Sequence, residues 1–118
     1  MKFIIDRNTW LRGEGEDQSK LLRESDGKMC CLGFYSLACG LSKEQINNQV
    51  TPIDLYDSGN KIPEGLDWLA PDNNTLTKQA LKLMKINDLP ACWISVEDRE
   101  AKIIAEFASQ GIQVEFIN

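Results

Sequence analysis

The strongest constraint on the fold is the helical periodicity in the second half of the chain. Residues 75–87 carry apolar side chains at helical spacing, with lysines on the opposite side. Ser95 opens a second helical stretch and Gly111 ends it, because serine caps helix N-termini and glycine adopts the left-handed C-terminal conformation. Residues 112–116 then alternate apolar and polar side chains, which indicates a half-buried strand. The apolar face predicted for the last helix comprises Ala101, Ile104, Phe107 and Ala108.

The first half of the chain predicts a strand and a hairpin. Residues 3–5 are apolar and short, as expected of a strand. Residues 20–23 and 28–31 flank Asp26 and Gly27, and an Asp-Gly pair supplies the positive φ that tight hairpin turns require. These two segments therefore predict a hairpin, with the side chains of its second strand pointing to alternate faces.

Between the hairpin and the last two helices the pattern is less regular. Residues 32–38 fit a short buried helix that Gly40 ends, and Ser42 begins a capping box for a brief second helix. Residues 50–74 contain three prolines, and within them residues 53–56 fit a short strand. Long irregular segments often carry function, although a purely structural excursion explains this one equally well.

Together these elements predict one α+β domain that spans residues 1–118. Its small sheet is expected to be mostly antiparallel, with the two terminal strands paired and one hairpin, and three to four short helices cover it. A length of 118 residues fits one domain, and no linker or internal repeat divides the chain.

Composition excludes several chemistries. The chain has no histidine, so it holds no Ser-His or Cys-His nucleophile pair and no His-containing zinc site. The spacing of the four cysteines is not that of a metal site, and no cofactor-binding loop is present, so we predict neither metal nor cofactor. The sequence does not decide whether the protein is an enzyme, but these exclusions favour a protein without enzymatic activity.

Charge and hydropathy restrict the partners. The net charge is -5 and the 13 basic residues are scattered, which argues against duplex nucleic acid as a partner. No apolar run is long enough for a membrane helix, and residues 3–5 are too short for a signal peptide. We therefore predict a cytoplasmic protein with reduced cysteines.

Two groups of residues are candidates for a site. Cys30 and Cys31 adjoin a predicted helix N-terminus, which lowers a thiol pKa, but two buried small side chains explain the pair better without a histidine. The irregular segment and the tryptophans are the second group, because a tryptophan can stack on a planar ligand or simply fill the core. The candidate binding residues are Tyr56, Asp57, Trp68 and Trp93.

Two motifs follow each other along the chain: Asp-Gly-x-x-Cys-Cys-Leu-Gly at residues 26–33 and Leu-x-x-x-Asn-Asp at residues 83–88. This order of motifs resembles a family of small uncharacterised proteins of tailed phages and prophages, with the first motif at the centre of the resemblance. Residues 89–94 depart from the family pattern, which has a Gly-x-Ser/Thr-Phe turn there. The motif residues, for which a structural role is predicted, are Asp26, Gly27, Cys30, Cys31, Gly33, Asn87 and Asp88.

The resemblance implies a phage or prophage accessory protein made in the bacterial cytoplasm, and it transfers no catalytic role. The first hypothesis is a non-enzymatic protein that binds and modulates or inhibits a bacterial host protein, such as a defence component. The alternative is a small-ligand or nucleotide-sequestering protein, for which a homo-oligomer is a further option. A cysteine-based enzyme ranks third.

Overall fold

The structure is a computed structural model that describes residues 1–57, 59 and 61–118. Two segments of 3-10 helix, Glu16–Gln18 and Glu64–Leu69, lie in the connections. In chain order the strands and α-helices are β1 (Lys2–Asp6), α1 (Cys31–Ala38), α2 (Lys43–Ile46), α3 (Pro52–Asp57), α4 (Lys78–Asp88), α5 (Val96–Ala108) and β2 (Gln113–Ile117).

The two terminal strands pair with each other, but they run parallel. Lys2 lies opposite Gln113 and Asp6 lies opposite Ile117. The predicted mostly antiparallel sheet is therefore wrong. Parallel neighbours need a crossover connection, and here the helices between the strands provide it, with α1 packed on β1 and α5 packed on β2. The α+β composition of the fold agrees with the prediction.

The predicted hairpin forms its turn but not its strands. Gly27 has a φ of 72°, as an Asp-Gly turn requires. Two backbone hydrogen bonds join the flanking segments, from the Arg23 N–H to the Lys28 carbonyl at 2.8 Å and from the Cys30 N–H to the Lys20 carbonyl at 3.1 Å. Between them, Leu22 makes an isolated bridge to Asn47 and Met29 makes one to Trp10, so no regular two-stranded ladder forms. Leu22 and Met29 are both buried, and each is held against a different part of the core. The turn is thus a closed loop on the surface, not part of a sheet.

Sequence signals predicted four of the five α-helices that the structure describes: capping residues marked α1, α2 and α5, and apolar periodicity marked α4. The Ser42 side chain and Gln45 form the predicted capping box of α2, and Gly40 leaves α1 with a φ of 112°. The Thr77 side chain accepts from the Ala80 N–H at the start of α4. These local hydrogen bonds fix where the helices begin and end.

The strand predicted for residues 53–56 is wrong, because α3 occupies this segment. Pro52 stands at the first helical position, where its missing N–H costs nothing. The Asp54 carboxylate accepts from the backbone N–H groups of Val50 and Thr51, at 3.0 and 3.1 Å. The chain before α3 is therefore held by a side-chain cap.

The predicted apolar face of α5 is also displaced. The structure buries Phe107 together with Arg99 and Ile103, at a spacing of four residues. The other three residues of the predicted face point outward, namely Ala101, Ile104 and Ala108. A buried arginine on this face is not expected from periodicity alone.

Four aromatic rings form the centre of the core. The centroid of Phe107 lies 4.9 Å from that of Phe3, 5.3 Å from that of Tyr35 and 5.8 Å from that of Trp68. Trp68 donates its indole N–H to the Tyr35 hydroxyl at 3.0 Å. The cluster joins β1, α1, α5 and the second 3-10 segment.

Among the described residues no helix is long and apolar enough to cross a membrane.

Candidate functional site

The motif residues occupy two separate places. Asp26 and Gly27 form the exposed turn, where the Asp26 carboxylate pairs with Arg23 at 2.5 Å. The hydrogen bond from Arg23 lowers the pKa of Asp26 to about 2. The remaining motif residues lie together in the interior: Cys30, Cys31, Gly33, Asn87 and Asp88.

Asn87 is the hub of the interior group and is 1% exposed. Its Oδ1 accepts from the Trp10 indole N–H at 2.9 Å and from the Cys31 backbone N–H at 3.1 Å. Its Nδ2 donates to the Leu11 carbonyl and to the Asp88 carboxylate, each at 3.0 Å. All four hydrogen-bonding positions of the amide are used. Asn87 therefore ties the segment after β1 and the start of α1 to the end of α4.

The two adjacent thiols are buried. Cys30 is 5% exposed and Cys31 is fully enclosed, at 0%. Burial raises the pKa of Cys30 to about 12 and also raises the pKa of Cys31. Because the thiolate is the nucleophilic form, neither group is activated at neutral pH. The predicted alternation of these residues on a strand is not what the structure has, since Cys31 begins α1.

A small cavity of about 60 Å³ lies against the interior motif. It has room for a few water molecules, not for a nucleotide. In the described part of the chain no group of three or more acidic, cysteine or histidine side chains is placed to hold a metal ion. The cavity is lined by Glu16, Ser19, Cys30, Cys31, Leu32, Val50, Thr51, Met84, Asn87 and Asp88.

Asp88 is the buried carboxylate of this group, at 9% exposure. Burial raises its pKa above the ordinary value, while hydrogen bonds from Asn87 and Ser19 oppose the shift and the charge of Glu16 adds to it. The Asp88 backbone carbonyl also accepts from the Gly15 N–H at 3.1 Å. Asp88 thus holds the loop after residue 12 against the end of α4.

Asp88→Asn is expected to flatten the dependence of stability on pH. Because the folded pKa of Asp88 exceeds the unfolded value of 3.8, protonation favours the folded state. That contribution is complete below the unfolded pKa and is lost as pH rises through the folded pKa. Urea unfolding from about pH 4 to about pH 7 should therefore show a smaller loss of stability with rising pH in the variant.

The matched control is Asp72→Asn, for which the opposite change is expected. Hydrogen bonds from Asn74 and Thr75 lower the pKa of Asp72, so its contribution is gained as pH rises. The control variant should lose stability relative to the wild type at the upper end of the pH range. A pH profile of Asp88→Asn that matches the wild type would contradict the assigned direction.

Arg99, which sequence reasoning missed, closes the end of α4 and is 4% exposed. Its Nη1 donates to the carbonyls of Ile86 and Asn87 at 2.8 and 2.9 Å, and its Nη2 donates to that of Leu89 at 2.6 Å. These carbonyls lie where a helix leaves acceptors without intrahelical partners. The only signal for Arg99 in the sequence was its spacing: it lies four residues before Ile103 and therefore on the same face of α5, which the structure shows to be buried.

Residues 89–95 form the connection from α4 to α5, here called the Trp93 turn. Arg99 fixes its first residue, and the Trp93 N–H donates to the Pro90 carbonyl at 2.9 Å. The Trp93 side chain is 77% exposed. A large apolar side chain is therefore presented to solvent on a backbone that is held in place.

Two surface depressions flank the Trp93 turn. The first, called the apolar cleft, has a volume of about 500 Å³ and is lined by Gly15, Glu16, Leu81, Met84, Lys85, Asp88, Leu89 and Pro90. The second, called the arginine cavity, has a volume of about 270 Å³ and is lined by Trp10, Arg12, Gly13, Ala91, Ile94, Val96 and Arg99. The turn contributes wall residues to both.

Comparisons with known proteins were made at three levels. No family model, curated protein or solved structure matches this chain. The resemblance to phage and prophage proteins therefore stays a prediction from the order of the motifs. The geometry shows only that Cys30, Cys31, Asn87 and Asp88 line one cavity.

None of the four predicted binding residues lines the apolar cleft or the arginine cavity. Trp68 packs in the aromatic core and Asp57 is the exposed last residue of α3. The Tyr56 hydroxyl is buried and has no hydrogen-bond partner within the described residues. Burial raises the pKa of Tyr56, and the charge of Asp67 adds to that shift. Trp93 also lies outside both linings, but other residues of its turn line them, Pro90 in the apolar cleft and Ala91 and Ile94 in the arginine cavity.

Proposed function

We propose that this chain is a non-enzymatic phage or prophage accessory protein that binds a bacterial host protein in the bacterial cytoplasm and modulates or inhibits it. The observation that carries the proposal is Trp93, 77% exposed on a turn that Arg99 holds. Tryptophan dominates protein-binding hot spots, and a fixed turn loses little conformational freedom on binding. The burial of Cys30 and Cys31 supports a role without nucleophilic chemistry.

The surroundings of Trp93 support a protein partner. Leu81, in the apolar cleft, is 53% exposed, and Val96, in the arginine cavity, is 58% exposed. Met84 and Pro90 extend the apolar wall of the cleft. Exposed apolar side chains grouped in this way mark protein interaction surfaces more often than isolated ones do.

The acidic residues around the apolar cleft favour a partner with a basic surface. The loop beside the apolar cleft carries the exposed acids Glu14, Glu16 and Asp17, and Glu16 and Asp88 line the cleft itself. The whole chain carries a net charge of -5. A partner with an apolar anchor flanked by lysine or arginine fits this surface, since complementary potentials speed association and select partners.

Trp93→Ala is expected to abolish capture of that partner. Immobilised wild-type protein, incubated with lysates of several bacteria, should retain a basic protein in stoichiometric amount. The variant should retain at least about tenfold less, because losing a tryptophan hot spot costs about 2 kcal/mol or more. Quantitative mass spectrometry of the retained proteins measures the ratio.

The matched control is Val50→Ala, which truncates another exposed apolar side chain, at 46% exposure. Val50 lies outside the linings of the apolar cleft and the arginine cavity, so this variant should retain the same protein at the wild-type level. Circular dichroism confirms that both variants fold. The proposal fails if no protein is enriched, or if the enriched protein is retained equally by Trp93→Ala.

A further inference from the structure

The four arginines of the chain fall into two classes. Arg7 and Arg23 each form a short ion pair with a carboxylate, at 2.7 and 2.5 Å. Arg12 and Arg99 form no ion pair among the described residues, and their hydrogen bonds go to backbone carbonyls. In an acidic protein, the two arginines without a carboxylate partner both line the arginine cavity.

The positive charges in this cavity act on each other. Arg12 and Arg99 are the charged residues of its lining within the described chain. Burial lowers the pKa of Arg99, and the charge of Arg12 lowers it further. Asp88 offsets part of the charge of Arg99 but does not line the cavity. Two neighbouring guanidinium groups in a partly desolvated site favour an anion between them.

The rest of the cavity wall is apolar. Trp10 forms one side, and the Arg12 guanidinium lies over its ring at 4.5 Å from the centroid. Ala91, Ile94 and Val96 form the other walls. Arg12 Nη1 donates to the Arg7 and Trp10 carbonyls, so the Nη2 and Nε N–H groups, which have no partner among the described residues, form the edge that can face a carboxylate. The volume of about 270 Å³ exceeds what a bare inorganic ion fills.

We propose that the arginine cavity binds a carboxylate carried on a small apolar body. Arg12 and Arg99 hold the carboxylate, and Trp10 with the aliphatic walls covers the apolar body. A free aryl-alkanoic acid and the C-terminal carboxylate of a peptide with an apolar last residue share this chemistry. The site goes beyond the docking proposal and does not rest on it, since Trp93 does not line the cavity.

The test is calorimetric titration of the whole protein with 3-phenylpropionate. We expect saturable binding of 3-phenylpropionate. 3-Phenylpropionamide should bind at least about tenfold more weakly because it loses the charge-assisted bidentate contact, and inorganic phosphate should be at least about tenfold weaker because it leaves the apolar walls uncovered. N-acetyl-alanyl-phenylalanine and its amide distinguish the two sources. Tighter binding of the peptide acid identifies a peptide terminus, and tighter binding of phenylpropionate identifies a free acid.

Two variants locate the binding. Arg12→Gln should weaken the affinity for phenylpropionate at least about tenfold, whereas Lys43→Gln, an equal change of charge on exposed α2, should leave it unchanged. Val96→Asp places a carboxylate at the rim of the cavity and should abolish binding without loss of the fold, since Val96 is exposed at a helix N-terminus. Val96→Asn is its neutral control and should still bind.

Several results would overturn the assignment. They are the absence of saturable binding, equal affinity for the acid and its amide, phosphate binding as tight as phenylpropionate, and unchanged affinity in both Arg12→Gln and Val96→Asp. Trp93→Ala should leave the titration unchanged. A failure of host-protein capture is thereby separated from a failure of this site.

Discussion

Asn87→Ala should lower the free energy of unfolding by about 4 kcal/mol, and the variant is expected to be among the least stable single substitutions of this chain. The truncation removes the partner of the Trp10 indole N–H, the Cys31 N–H and the Leu11 carbonyl. Each buried polar group left without a partner costs about 1–3 kcal/mol. Urea unfolding followed by circular dichroism measures the loss.

The control for this prediction is Asn8→Ala, which removes an exposed amide in the loop after β1. It should change the free energy of unfolding by less than about 0.5 kcal/mol, as surface substitutions usually do. A loss of under about 1 kcal/mol in Asn87→Ala would mean that water replaces the amide in all three contacts. The role of Asn87 as the structural hub would then be wrong.

Gly33→Ala is expected to cost about 3 kcal/mol or more, although alanine favours a helix over glycine by about 1 kcal/mol. A Cβ at position 33 would overlap the carbonyl group of Leu21 and lie 3.0 Å from the Met29 Cβ. The Leu21 backbone has little room to retreat, because its N–H donates to the Gln49 carbonyl at 2.8 Å. The usual gain of a helical alanine is thus reversed.

The control is Gly27→Ala, at a positive φ of 72° with no atom within 4 Å of the added Cβ. Its cost is the backbone strain alone, about 1–2 kcal/mol. Comparing the two variants by thermal and urea unfolding separates steric overlap from backbone conformation. Gly33→Ala as stable as the wild type would contradict the close approach of α1 to residue 21.

Local signals in the sequence were sufficient for most helix boundaries. Ser42, Ser95 and Gly40 act within a few residues of their own position, so their effect can be read without knowing the fold. Local signals could not predict whether β2 runs parallel or antiparallel to β1. Alternating side chains look the same in parallel and antiparallel strands, and only the path of the connecting helices decides between them.

The site was less predictable than the fold because its parts come from distant segments. The sequence identified Asn87 only as a motif residue with a structural role, and its contacts with Trp10 and Cys31 come from segments far away in the chain. Arg99 was assigned to no core position, because a charge is rarely buried without partners. Its partners are carbonyls at the end of another helix, which no periodicity reveals.

The parallel pairing of β1 with β2 sets the order of events during synthesis. β1 is made more than a hundred residues before β2, its only hydrogen-bonded partner strand in the described chain. Until then Phe3 and Ile5, both buried in the finished molecule, lack the neighbouring strand. A nascent chain stalled before residue 113 should therefore be a good client for chaperones that bind exposed apolar segments, and the emergence of β2 from the ribosome should allow the fold to close.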